Sequence, residues 1–178
     1  MTVWRRVFRN LRDGPATERA LPVAEATTQA LAARLEAAAQ TRLGRSLSIR
    51  HMDAGSCNGC ELEIQALNNI VYDLERFGLR FVASPRHADV LLVTGPLSRN
   101  LREALLATWQ ATPDPKWVVA IGDCAVDGGV FKGSYAIDNS GAGGISAGVP
   151  VDLTVPGCPP TPQAVLTALR ALVEANAI

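Results

Sequence analysis

The sequence has no surplus of charge of either sign. Its 178 residues carry 17 Lys and Arg against 17 Asp and Glu, a formal net charge of zero. A nucleic-acid-binding domain usually carries a basic excess, so the balance argues against that class of partner. No apolar run approaches the ~20 residues that cross a bilayer as a helix. No secretory leader is legible either: the first dozen residues are rich in arginine, lack a continuous apolar stretch, and show no twin-arginine motif ahead of one. The expectation is a chain that stays in the cytoplasm. Cysteine is scarce, four in all. In a reducing compartment such residues are metal ligands or redox groups before they are structural disulfides.

Those four cysteines stand at three places. Cys57 and Cys60 lie in the run Gly55-Ser56-Cys57-Asn58-Gly59-Cys60, Cys124 follows Gly122-Asp123, and Cys158 follows Pro156-Gly157 and precedes Pro159-Pro160. Each place comes directly after a segment that reads as a buried strand. Four thiolates brought together from the ends of three strands suit a cubane [4Fe–4S] cluster, which takes one ligand per iron.

The remainder of the chain supports that placement. Trp4, Val7, Phe8 and Leu11 share helical spacing with arginines opposite, a basic amphipathic segment able to lie on an anionic membrane or dock on a partner, or simply a solvated terminus. Asp13-Gly14-Pro15 ends it. An alanine-rich helix is expected from about Pro22 to Leu43, stopped by Gly44. From there strands and helices alternate. Strands are expected at Leu47–Ala54, Leu79–Ala83, Val90–Thr94, Trp117–Ile121 and Val151–Val155. A helix is expected over Glu61–Phe77, with Ile64, Leu67, Val71 and Leu74 on one face and Gly78 as its stop. Ser98 caps a second, running to about Ala111. A third starts with Pro162 at its first position and runs to about Ala175. The glycine-rich stretch from Gly128 to Gly148 carries little regular structure.

Continuously apolar strands such as Val90-Leu91-Leu92-Val93 and Val118-Val119-Ala120-Ile121 call for a parallel sheet covered on both faces. The expected fold is therefore α/β: a flavodoxin-like, doubly wound, mainly parallel sheet over residues 46–178, with an N-terminal helical extension over residues 1–45. Ligands of such sheets sit beyond the carboxyl ends of the strands, which is where all four cysteines fall.

Three other readings of the cysteines compete. A structural zinc site usually shows two close ligand pairs, and here only Cys57 and Cys60 are paired. A thioredoxin-like dithiol at a helix start would lower a thiol pKa but leaves Cys124 and Cys158 unused. Unrelated buried cysteines are the third. The iron–sulfur reading uses all four, and Gly55, Gly59, Gly122 and Gly157 suit it by letting backbone approach the sulfurs.

Taken together and in order, Gly55-Ser56-Cys57-Asn58-Gly59-Cys60-Glu61-Leu62-Glu63, Ser84-Pro85-Arg86-His87-Ala88-Asp89, Gly122-Asp123-Cys124, Val149-Pro150-Val151-Asp152 and Val155-Pro156-Gly157-Cys158-Pro159-Pro160 resemble a known family. It is the small cluster-carrying subunit of membrane-bound, energy-converting [NiFe] hydrogenases of the formate hydrogenlyase type, homologous to the cluster-bearing small subunit of respiratory complex I. The resemblance covers roughly His51 to the C-terminus.

It implies one [4Fe–4S] cluster held by Cys57, Cys60, Cys124 and Cys158, proximal to a nickel–iron site on a separate large subunit. It further implies ferredoxin-like and membrane subunits as partners, and a location on the inner face of the cell membrane through them. A complex I-like quinone oxidoreductase subunit is the alternative. The complex I form has adjacent cysteines at the first site, whereas Asn58 and Gly59 separate them here. A zinc or thiol-redox interaction module is the remote alternative. The segment Ala125-Val126-Asp127-Gly128-Gly129 departs from the family pattern.

By the same resemblance Glu63 is a proton-transfer group and Arg86 lies near the cluster, where its donors could bond a sulfur or a partner carboxylate. Without it, Glu61 and Glu63 are acids favoured by a helix N-terminus, Arg86 is a solvated surface residue, and His87 is a hydrogen-bonding residue in a turn.

Overall fold

The computed structural model describes residues 44–140 and 143–175, with scattered helical positions between Ala30 and Thr41. The amphipathic segment at Trp4–Leu11 and most of the Pro22–Leu43 helix lie outside the described residues. The end of that helix is in view. The Gly44 amide donates to Gln40 O at 3.0 Å and Gly44 takes φ +63°, so it is the stop the sequence calls for. Ala39, one turn earlier, is fully buried in the core of the sheet domain.

Five strands form one all-parallel sheet in the order β2-β1-β3-β4-β5. They are β1 Ser48–Asp53, β2 Arg80–Phe81, β3 Val90–Thr94, β4 Trp117–Ile121 and β5 Leu153–Val155. This is the flavodoxin-like order. Past the helix that Gly44 ends, the α-helices among the described residues are α1 Gly59–Ala66, α2 Arg102–Ala111, α3 Asp123–Asp127 and α4 Pro162–Ala175. The register puts Asp53 beside Thr94 and Thr94 beside Ile121, and Ile121 beside Val155. Four strand ends are thus level, and the loops that leave them share one rim.

Each interior strand feeds two cores, because alternate residues face opposite sides. On β3, Val90 and Leu92 join Ile49, Leu67, Val165 and Leu169 beneath α1 and α4. Leu91 and Val93 join Leu105, Val118, Ala120 and Ile145 beneath α2 and the glycine-rich segment. All five β3 residues are buried, which is why the run reads as continuously apolar. Burying each such side chain fully contributes about 1.5–3 kcal/mol of transfer free energy.

The helix expected over Glu61–Phe77 is shorter than its periodicity suggests. It ends at Ala66, and a separate 3-10 turn spans Leu74–Phe77. Asn69 causes the break. Its Oδ1 accepts from the amides of Val71 and Tyr72 at 2.8 and 3.1 Å, an Asx turn that competes with helix continuation. The Leu74 amide then returns to Leu67 O at 3.0 Å, which keeps Leu67 and Leu74 in the core while Val71 turns outward. Ser98 likewise holds a turn rather than the helix itself. Its Oγ accepts from the Leu101 amide at 3.3 Å, one turn ahead of α2. A short helix, α3, starts directly at the Cys124 loop, where the sequence carries no periodic signal.

Candidate metal centre

The rim formed by the level strand ends carries the cysteine loops. The β1 loop is organised by Asp53, whose Oδ1 accepts from the amides of Gly55 and Ser56, both at 2.7 Å. Ser56 Oγ accepts from the Asn58 amide at 3.2 Å. Asn58 adopts φ +72°, a left-handed conformation that asparagine tolerates, and turns the chain into α1 so that Cys60 lies in its first turn.

The Cys124 and Cys158 loops are stitched together by Asp123. The Gly122 amide donates to Val155 O at 2.8 Å, the Asp123 amide donates to Gly157 O at 2.9 Å, and Asp123 Oδ1 accepts from the Gly157 amide at 2.8 Å. These bonds extend the β4–β5 ladder past the strand ends and bring the last two cysteines side by side. The Cys158–Pro159 peptide is cis.

All four thiols are free, with Cys57 and Cys158 exposed, Cys60 half-buried and Cys124 buried. They lie near enough to act on one another electrostatically. Burial, then the Glu61 carboxylate, then Cys124, Cys57 and Cys158 push the Cys60 thiol up to about 12. Burial first and Cys158 second push Cys124 up as well, while a hydrogen bond from the Val130 backbone opposes them. Thiols crowded in this way become thiolates together only where positive charge offsets their repulsion, which is what a metal group supplies. Asp123, Cys124, Val126, Asp127, Gly129, Val130 and Cys158 line an open cleft of about 490 Å³ beside them.

Bare backbone lies directly against one of the sulfurs. Gly122 sits at φ +86°, and a Cβ there would stand 2.6 Å from Cys60 Sγ and 3.3 Å from Gly157 O. Any side chain at that position would collide with the thiol and strain the backbone. Gly59 is different from what the sequence suggests. Its conformation is ordinary, and a Cβ would meet only Cys57 Sγ, at 3.6 Å. Among the described residues, no three His, Cys, Asp or Glu side chains are drawn round one point as a single metal ion requires.

Several neighbours of the thiols are not legible as such in the sequence. Glu61, one residue past Cys60, is buried and bonds Thr94 Oγ1 at the end of β3. His51 Nε2 stands 3.0 Å from Thr94 Oγ1 and 3.7 Å from Glu61 Oε1. Glu61 Oε2 is buried without a partner among the described residues. Burial holds the His51 pKa down, partly offset by Glu61 and Asp53. Glu63 is half-buried on α1, two residues further on. Arg86 is exposed in the short crossover from β2 to β3, with its amide 3.4 Å from Ser84 Oγ. The structure thus gathers the four cysteines with Gly122 and Gly157. The His51–Thr94–Glu61 contact pairs residues 33 and 43 positions apart, so no local pattern announces it.

Known proteins share this arrangement of sequence and fold. Residues 57–172 match the family described as NADH ubiquinone oxidoreductase, 20 kDa subunit. Formate hydrogenlyase subunit 7 of Escherichia coli is 42% identical over 153 residues, 86% of this chain and 58% of that protein. A probable membrane-bound hydrogenase subunit, mbhJ, of Pyrococcus furiosus is 49% identical over 132 residues, 74% of this chain and 77% of its own. A NADH-quinone oxidoreductase subunit of a Geobacter species is 41% identical over 115 residues, 65% of each. In the solved structure of the membrane-bound sulfane sulfur reductase, an archaeal respiratory membrane complex, one chain is similar with TM-score 0.62 and 33% identity, over 80% of this chain and 74% of that one. This chain therefore spans less than two thirds of some of its relatives and about three quarters of others. With the match to residues 57–172 and the parallel five-stranded order both in hand, the chain belongs to the NADH ubiquinone oxidoreductase 20 kDa subunit family.

Proposed function

We propose that this chain is the electron-relay subunit of a membrane-associated oxidoreductase complex and holds one [4Fe–4S] cluster at Cys57, Cys60, Cys124 and Cys158. The observation that carries the reading is the rim itself. Four thiols from three strand ends lie near enough to act on one another, Cys124 and Cys158 line an open cleft, and bare backbone at Gly122 packs directly against Cys60 Sγ. A cubane takes one thiolate at each iron, so its ligands stand apart around it rather than converging on a point. When bound, the cluster supplies one-electron relay between centres on neighbouring subunits. The protein's share is ligation and tuning. Asp53 and Asp123 hold the loops, so that the thiols need little reorganisation to bind.

The partner in this reading is a large subunit with a nickel–iron site, covering the cleft beside Cys124. The Cys57-Asn58-Gly59-Cys60 spacing and the two hydrogenase-type relatives favour that partner. The relatives named as NADH-quinone oxidoreductase subunits support a quinone-reducing complex as the second reading. Four nickel-ligating cysteines in the partner large subunit would decide for hydrogenase, and their absence for quinone. Glu63 is the proton-transfer group in this scheme, and exposed Arg86 is close to the cluster, with its donors available to a sulfur or to a carboxylate of the partner. Among the described residues no helix is long and apolar enough to cross a membrane. Attachment to the inner membrane face is through partner subunits, with residues 1–45 as a contact segment.

The test is substitution of the buried thiol. Cys124→Ser replaces a soft thiolate with a poorer ligand. The purified complex should lose or convert its [4Fe–4S] electron paramagnetic resonance signal, with iron and acid-labile sulfide falling together. An unaltered signal would show that Cys124 is not a ligand.

A further inference from the structure

The segment after Cys124 is shaped around one sulfur. The Gly128 amide donates to Cys124 O at 3.0 Å, and Gly128 and Gly129 take successive positive φ values of +90° and +48°. The Gly129 amide is held by Asp127 Oδ1 at 3.0 Å. This folds the chain back so closely that a Cβ on Gly129 would stand 2.9 Å from Cys124 Sγ and 3.1 Å from Cys124 N. The next amide is that of Val130, the backbone group that holds the Cys124 thiol pKa down against burial. Val130 itself contributes no packing that would explain the wrap, since its side chain is 81% exposed. What the turn places is the backbone N–H. A later stretch of the same glycine-rich segment packs against it, with Gly143 O 3.1 Å from where a Gly128 Cβ would be.

We propose that the Gly128–Val130 turn is a potential-setting element, whose Val130 N–H donates to the Cys124 sulfur and stabilises the more negative, reduced charge state of the group that sulfur holds. Backbone N–H groups favour added negative charge on a sulfur, and hydrogen bonds to ligand sulfurs are among the levers on cluster potential. Gly129 is needed because no side chain fits between the turn and the sulfur. Asp127 is a positioning residue, acting through the Gly129 amide. The inference rests on the cluster assignment above and extends it to one donor.

The experiment uses the intact complex with valine labelled by nitrogen-15. Pulsed electron paramagnetic resonance of the reduced cluster should show a nitrogen-15 coupling that disappears in Val130→Ala made from the same labelled culture. Because Val130→Ala keeps the N–H, its midpoint potential should match wild type. Val130→Pro deletes the N–H and should shift the one-electron equilibrium about tenfold in favour of the oxidised form, which is ~59 mV. A cluster signal with no valine coupling lost in Val130→Ala would overturn the proposal, whether or not Val130→Pro folds. So would an unchanged potential in Val130→Pro with its cluster retained. Absence of any cluster signal in wild type would instead overturn the cluster assignment.

Discussion

The two ends of the sheet use the same chemical device to opposite effect. At the end where the strands begin, buried Asp89 accepts two bonds from Arg45, at 3.0 and 2.5 Å, and one from the Ser48 amide at 2.9 Å. Nearby, Asp152 Oδ2 accepts from the Val118 amide at 2.7 Å. These carboxylates close the end, holding strands in register. At the other end Asp53 and Asp123 also accept backbone amides, but those amides belong to the cysteine loops. There the carboxylates hold an opening in shape. A carboxylate that bonds backbone therefore says nothing of function by itself. What differs is the neighbour: a guanidinium and a β-ladder at one end, free thiols and bare glycine backbone at the other.

Gly122→Val separates the two ends most strongly. The added side chain meets Cys60 Sγ in a backbone conformation that L residues rarely adopt. The variant complex should be isolated essentially without iron–sulfur absorbance, while far-ultraviolet circular dichroism still reports the α/β fold. Normal cluster content would mean the rim is not the binding space.

Asp89→Ala probes the closed end. It strands the Ser48 amide and the Arg45 guanidinium and should cost about 2–3 kcal/mol in denaturation. More than half of Arg45 is exposed, which keeps the loss below that of a fully buried pair. Iron per folded chain should not change. A cluster defect here would erase the distinction between the ends.

Asp123→Ala lies between the two. It removes one bond linking the Cys124 and Cys158 loops and should cost about 1 kcal/mol. Its larger signature is kinetic: cluster loss to an iron chelator should be faster than in wild type. If chelation is no faster, the β4–β5 ladder alone holds the loops.

The smallest effect is expected at Gly59→Ala. Gly59 stands at the start of α1 with an ordinary φ and room for a methyl group. The substitution should raise stability by a few tenths to ~1 kcal/mol through helix propensity and reduced chain entropy, with cluster content and potential unchanged. Cluster loss would show that bare backbone is required on both sides of the cysteine pair.

Residue order alone was enough to specify the sheet and the placement of the cysteines. Continuous apolar runs at Val90–Thr94 and Trp117–Ile121 needed cover on both faces, and the parallel sheet supplies it over those same residues. Pro162 and Gly44 marked helix ends that the structure keeps. These signals are local, carried by hydrophobic period and by residues with restricted or relaxed φ, so they survive in one dimension. Other features took shape only in the folded chain. Asn69 ended α1 early by offering a side-chain acceptor to the backbone, a competition that periodicity does not register. Glu61 and Glu63 look alike as text. Only the approach of β3 and His51 buries the first and leaves the second half-exposed. Gly59 and Gly129 both neighbour a cysteine, yet only Gly129 is pressed against its sulfur, because only there does the chain reverse within one turn. Which backbone group faces which thiol depends on distances between segments far apart in the chain, and those distances exist only once the sheet has aligned its strand ends.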